Sequence, residues 1–492
     1  MIFPDPLFIL IFLPATVAGF HLIARPLGAV PAMLWLLAAS ILFYASWNPL
    51  HLVPVLAAAV GSYGAGRLLL TIDDRHKLWR HLILAAAIAG VLGLLIFYKA
   101  RLSPWFTDAD GSAASFSTAT QILIPLGLSF VAFQLIAFLV DCLRRRFTAP
   151  RPLDFLLFLL FFPQLVMGPI VQYRELAPQF RGRRFLGFNA TDLAVGLAIF
   201  AIGLAKKTIL ADSIAPLPTA IFADAAAGRA PGLLDAWTAA VSFQFQLYFD
   251  FSGYADMAVG IARMVGIDLP LNFDKPFRAV DRFDLHRRWH ISFVSFMRVH
   301  VFMPLARRLP LPLAMALTTL LSGLWHGLGW TFLVWGLLQA WLMLAGHWWR
   351  GRKGSRRLPP APAMMTTFAI TASMGVMFRA IDTDAALAVY AGMIGLNGSG
   401  LDGLHRLNTG WALALLATCV IIWACPSTAE IIGRHWRAID QRGGRAPKRP
   451  AATAPRRWQL APTPLHAVAG GLLLLAGLLL AGQGGRFIYY QF

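Results

Sequence analysis

Two histidines, His290 and His326, are the side chains of this chain best suited to exchanging a proton near neutral pH. Both fall between Gln244 and Gly336, among segments apolar enough for a bilayer. The same stretch carries Asp250, Asp256, Arg263, Asp274, Lys275, Arg287 and Arg288. Ionisable groups at membrane depth persist where they pair, line a wet cavity or do chemistry. His326 sits in LLSGLWHGLGW, where Gly323, Gly327 and Gly329 let backbones approach closely and leave room for a ligand. Trp325 and Trp330 are expected to wall that space. An imidazole there suits general-base catalysis of acyl transfer, taking the proton from an attacking hydroxyl. The residue reads equally as a hydrogen-bonded structural histidine between helices. His290 follows Arg287-Arg288-Trp289, a cationic cluster that reads first as a snorkelling helix-end anchor and second as a contact for an anionic donor. The histidines are 36 residues apart and can meet only by tertiary packing.

The carboxylates offer less. Asp250 and Asp256 are six residues apart, a rotation of about 240° on a helix, so they form no paired-carboxylate site. Asp256 and Arg263 share a face and are expected to form a structural ion pair. Tyr254, one turn after Asp250, is placed to hydrogen-bond to it. No G-x-S-x-G, H-E-x-x-H or Walker pattern occurs. Cys142, Cys419 and Cys425 lack metal-ligand spacing, so neither a metal nor a bound cofactor is expected. Histidine-assisted direct transfer is the chemistry these residues allow.

The elements that must position these groups are membrane helices. The chain is 58% hydrophobic and 13% charged, against about 25% charged in soluble domains. Apolar runs recur near residues 7–24, 30–47, 50–70, 81–98, 120–140, 153–171, 190–211, 236–256, 311–328, 329–349, 364–380, 410–425 and 464–482, many long enough for a core of about 30 Å. The formal charge of +20 is concentrated in short loops between them. That is the positive-inside pattern, and it argues against nucleic acid as a partner. Basic loops 71–81, 144–151, 174–184, 350–357 and 434–457 are placed in the cytoplasm, with the N-terminus outside. Basic loops flank 153–171 on both sides, and FFPQLVMGPI within it carries two prolines and a glycine. A re-entrant or broken element is expected there. The first apolar run lacks a basic n-region and a cleavage site, so it reads as a retained helix. Residues 441–457 read as a flexible cytosolic loop, and the terminal FIYYQF as interfacial aromatics.

YFDFSGYADMAVGIARMVG, NFDKPF, RRWHIS, SGLWHGLGWTFLVWG and LVMGPIVQYRE, with the terminal FIYYQF, resemble the membrane-bound O-acyltransferase family. The branch resembled is the bacterial one that includes alginate O-acetylation and teichoic-acid D-alanylation proteins. The likeness runs through the whole chain. It implies an all-α polytopic membrane protein, a bundle of about 11–13 transmembrane or re-entrant helices around a central tunnel. It also implies a single integral membrane domain over residues 1–492, with a catalytic core at about 150–350. The family's active-site histidine falls on His326 and its second histidine on His290. Arg287, Arg288, Trp325, Asp250, Tyr254 and Asn272 become candidates for substrate or donor contact.

The resemblance further implies acetyl transfer from cytosolic acetyl-CoA. The acceptor would be a secreted or surface polysaccharide, or a periplasmic acyltransferase, across a bacterial inner membrane whose lipids surround the bundle. D-alanyl transfer stays open within that reading. A transporter or flippase, or a non-catalytic subunit of an export complex, stays open outside it. Two departures bear on substrate and partner. Leu285 and His286 stand where the branch reads Phe-Trp before R-R-W-H. Val299 and Ala306-Arg307 replace an acid and two glycines further on.

Overall fold

The computed structural model describes residues 1–100, 103, 125–147, 149–352, 358–399, 409–439, 441, 459–461 and 463–481, which form helices with no strand among them. The helices used below are α1 (Leu13–Leu27), α2 (Ala29–Ala45), α3 (Leu52–Thr71), α4 (Lys77–Ala100), α5 (Leu128–Leu143), α6 (Pro152–Leu160), α7 (Ala190–Ala205), α8 (Leu233–Met264), α9 (Arg282–Arg288), α10 (Ile291–Phe296), α11 (Leu311–His326), α12 (Trp330–Gly351) and α13 (Pro360–Arg379). Among the described residues five helices are long and apolar enough to cross a membrane, or six if the bent pair Thr409–Trp423 with Thr428–His435 is one span. Shorter apolar helices, including Leu128–Leu143, Ile291–Ala306 and Leu311–His326, complete a polytopic bundle.

The spine is α8, whose 32 residues run well past the apolar segment expected at 236–256. Its N-terminal half packs with α13 and the helices Pro216–Ala226 and Thr383–Met393. Its C-terminal half joins a large core built from α1, α2, α5 and α6. Glycines let α7 approach it. A Cβ on Gly196 would lie 2.7 Å from the Gly260 carbonyl oxygen, and one on Gly203 2.6 Å from that of Gly253. Without a hydrophobic drive inside lipid, such close contact supplies the dispersion that holds two helices together.

A π-helical turn, Lys206–Ala211, continues α7 and aims adjacent lysines at α8. Lys206 Nζ lies 2.6 Å from Asp256 and 2.8 Å from the Thr428 hydroxyl. Lys207 Nζ lies 2.9 Å from Asp250 and 2.6 Å from Asp212. The expected Asp256–Arg263 pair is therefore corrected. Arg263 instead meets Asp192 at 2.7 Å and Asp268 at 3.2 Å. Seven residues separate the two along the axis by about 10 Å, beyond direct contact, so each finds a partner on a neighbouring element.

The segment 153–171 is broken, as its prolines and glycine imply. Helix α6 ends at Phe161 (φ −52°, ψ 103°), and a single further turn, Phe162–Leu165, follows. Between α3 and α4 a hydrogen bond from Arg145, with Arg80 and Lys77 nearby, holds the Asp74 carboxyl below the usual carboxylate range. FIYYQF and nearly all of 441–457 lie outside the described residues.

Replacing Gly260 with Val drives its Cβ into the α7 backbone and is expected to cost about 1–3 kcal/mol. Gel filtration of detergent-solubilised protein should show a reduced monodisperse fraction. Gly90→Val in α4, where nothing lies within 4 Å of the added Cβ, should leave it unchanged.

Candidate active site

His290 stands at the junction of α9 and α10 with a left-handed backbone (φ 45°, ψ 52°). A β-less residue adopts that conformation freely; histidine needs outside support. Asn272 supplies it. Its backbone carbonyl accepts from the Ile291 N–H at 2.9 Å. Its side-chain oxygen accepts from the Ser292 N–H at 3.2 Å and the Ser292 hydroxyl at 2.9 Å, and it lies 3.2 Å from His290 Nδ1. The Ile170 N–H donates to the Ser292 hydroxyl oxygen at 3.0 Å, tying the broken segment to the same knot. A backbone N–H can only donate, so the Asn272 atom facing it is the oxygen. His290 Nδ1 must therefore carry the proton that it shares with Asn272. In the neutral ring Nε2 then holds the free lone pair, and it has no hydrogen-bond partner among the described residues.

His326 is the last residue of α11. A Cβ on Gly323 would lie 2.6 Å from the Phe332 carbonyl oxygen and 3.0 Å from Gly336 Cα, so the α11–α12 hairpin closes tightly one turn before the histidine. The helix end is capped from outside. Lys99, at the end of α4, donates to the carbonyl oxygens of Trp325 and, at 3.0 Å, of His326. A cation there also meets the negative end of the helix dipole. The Ser103 hydroxyl donates to the Leu328 carbonyl in the following loop.

The two imidazoles converge on one cavity of about 110 Å³, the space of a few water molecules. The Phe293 ring stands 5.0 Å from His290 and 5.9 Å from His326. Phe378 at 4.9 Å and Trp335 at 5.5 Å close the His326 side. Polar groups also line it: Gln244, Arg282, His286, Gln339 and Thr371. No aspartate or glutamate is among the lining residues.

The other residues singled out from the sequence lie elsewhere. Asn272 is a clamp behind His290 and does not reach the cavity. Trp325 is stacked between Phe133 and Phe293, behind the wall it was expected to form. Trp330, the first residue of α12, is 60% exposed, and Trp335 lines the cavity in its place. Asp250 is paired with Lys207, and the Tyr254 hydroxyl accepts the Phe3 N–H at 3.3 Å. Arg287 is exposed, and Arg288 pairs with Asp284 one turn back at 3.0 Å, consistent with a helix-end anchor. Reasoning from sequence missed Lys99, Arg282 and Phe378. Lys99 carried a signal, being the one cation that closes the apolar run 81–98.

Residues 141–379 match the MBOAT, membrane-bound O-acyltransferase family, a segment that contains both histidines. The chain is 35% identical over 441 residues to a peptidoglycan O-acetyltransferase of Helicobacter pylori, covering 82% of each protein. The chain belongs to the membrane-bound O-acyltransferase family. It is similar also to a probable alginate O-acetylase AlgI of Azotobacter vinelandii, at 31% identity over 445 residues, 86% of this chain and 84% of that one. A teichoic acid D-alanyltransferase of Streptococcus thermophilus is 28% identical over 254 residues, 48% of this chain and 60% of its own length. The protein is thus a membrane O-acyltransferase.

Lys99→Met removes a charged donor from the carbonyls that end α11. Loss of one such bond is expected to lower kcat about tenfold with little change in donor KM, with partial recovery in Lys99→Arg. Steady-state acyl transfer by purified variants checks this.

Proposed function

We propose that this O-acyltransferase moves an acetyl group from a thioester, acetyl-CoA, to hydroxyls of a cell-envelope polysaccharide, in a bacterial inner membrane. The transfer is made either directly or through a periplasmic acyltransferase. The observation that carries the reading is the convergence of His290 and His326, distant in sequence, on one small cavity. In this scheme His326 takes the proton of the attacking hydroxyl as its oxygen bonds to the thioester carbonyl carbon. The C–S bond then breaks, and the proton passes on to the departing thiolate. His290, with its tautomer set by Asn272, is the partner that offers Nε2 to the reacting groups. The donor approaches from the face bearing the basic loops and the acceptor from the other.

Acetyl is favoured over D-alanyl by coverage. The relatives named for O-acetylation match over more than four-fifths of the chain, the D-alanyltransferase over about half. A small aromatic-walled cavity suits a two-carbon acyl group.

His326→Ala should abolish polymer acetylation, a loss of at least about 10²-fold, while the protein still accumulates in the membrane. Acetyl content of each surface polymer, measured in a deletion strain complemented with the variant, reads this directly. Normal acetylation from well-expressed His326→Ala protein would overturn the assignment.

A further inference from the structure

Arg282 is a buried charge without a counter-charge. Its residue is 8% exposed, and it lines the cavity that holds both histidines. Two of its guanidinium nitrogens meet neutral acceptors only, the Thr371 hydroxyl at 3.0 Å and the Gln339 side-chain carbonyl. Its Nε has no hydrogen-bond partner. The neighbouring acid, Asp281, is turned away to Arg350. His286, one turn along α9, lines the same cavity. Buried cations elsewhere have acids, Lys206 with Asp256, Lys207 with Asp212 and Asp250, and Arg263 with Asp192 and Asp268, while Lys99 caps the carbonyls that end α11. An arginine left without a counter-charge at membrane depth, beside a cavity with space for only a few waters, is disfavoured, and a ligand that brings a negative charge relieves that cost.

The place of that charge can be measured along α12. Trp335 packs on His326, and Gln339 accepts from Arg282. Four residues separate them, about 6 Å along the helix. The anion would therefore sit close to the reacting carbonyl. The phosphates of a coenzyme A thioester lie a whole pantetheine arm away from that carbonyl and do not fit.

We propose that Arg282, with His286 beside it, forms a carboxylate-recognition subsite about one helix turn from His326, which takes an acidic group carried by one of the two substrates. This rests on the cavity being the transfer site. The carboxylate has two sources: the acyl group itself, as in a dicarboxylic half-thioester, or an acidic sugar adjacent to the acceptor hydroxyl. A planar fork of N–H donors with a free edge is the side chain suited to a carboxylate.

The test is equilibrium binding of single probes to the purified full-length protein, which needs no turnover and so stands apart from the role of His326. One probe pair is acetyl-CoA against succinyl-CoA. The other is a uronic-acid oligosaccharide against its carboxyl-reduced twin. The wild-type protein should bind the acidic member of one pair at least about tenfold tighter, and the pair that responds identifies the source. Arg282→Gln should erase that preference by weakening the acidic probe alone, and Arg282→Lys should retain part of it. Equal binding within both wild-type pairs would overturn the proposal without any variant. So would a preference that survives Arg282→Gln, or a variant that weakens neutral and acidic probes alike.

Discussion

An imidazole reaches the middle of an apolar bundle only if the helix end that carries it has its backbone groups satisfied. In water a frayed end is solvated; in lipid each orphaned N–H or C=O costs several kcal/mol. Both histidines here sit at such ends, His290 before α10 and His326 at the close of α11. Asn272 binds the first end through three donors of the 290–292 turn and a fourth at its own carbonyl. Lys99 binds the second through two carbonyls. The site depends on these two side chains more than on any residue that lines the cavity. They also confer chemistry, since the Asn272 clamp decides which His290 nitrogen keeps its lone pair.

The remaining charges of the central stretch serve the frame. Helix α8 carries Asp250, Asp256 and Arg263 down its length, and each is matched on an element that packs against it. Buried pairs of this kind are weak as net stabilisers but severe when broken, by about 3–5 kcal/mol, so they fix which element sits where. The glycine contacts between α7 and α8 set the spacing at which those pairs can form. Beside that spine, α13 and the α11–α12 hairpin close over the α9–α10 turn. That closure makes the cavity.

Much of this was legible in the chain, and the exceptions have a common cause. The all-helical membrane class, the broken 153–171 segment and the two histidines follow from composition, prolines and residue chemistry. The Asp256–Arg263 expectation failed because helical periodicity reports which face a residue occupies, whereas its partner is chosen by whichever helix packs there. Asn272, Asp250 and Trp325 were assigned to substrate for the same reason: their polar or aromatic character was visible, but not that neighbouring elements already engage it. Arg287 and Arg288 drew attention as a pair, while Arg282, about one and a half turns earlier, is the arginine that lines the cavity. The missed helix at 291–306 is short, and Arg298 and His300 interrupt its apolar run.

The central claim is that acyl transfer takes place in the cavity shared by His290 and His326. A structure of the full-length protein bound to a non-transferable thioether analogue of the acyl donor tests it most directly. The account predicts the acyl-mimicking carbon between the two imidazoles, within hydrogen-bonding reach of His326, with Phe293, Trp335 and Phe378 around it. An analogue seated outside that cavity, for example against the exposed Arg287 face with the histidine cavity unchanged, would contradict it.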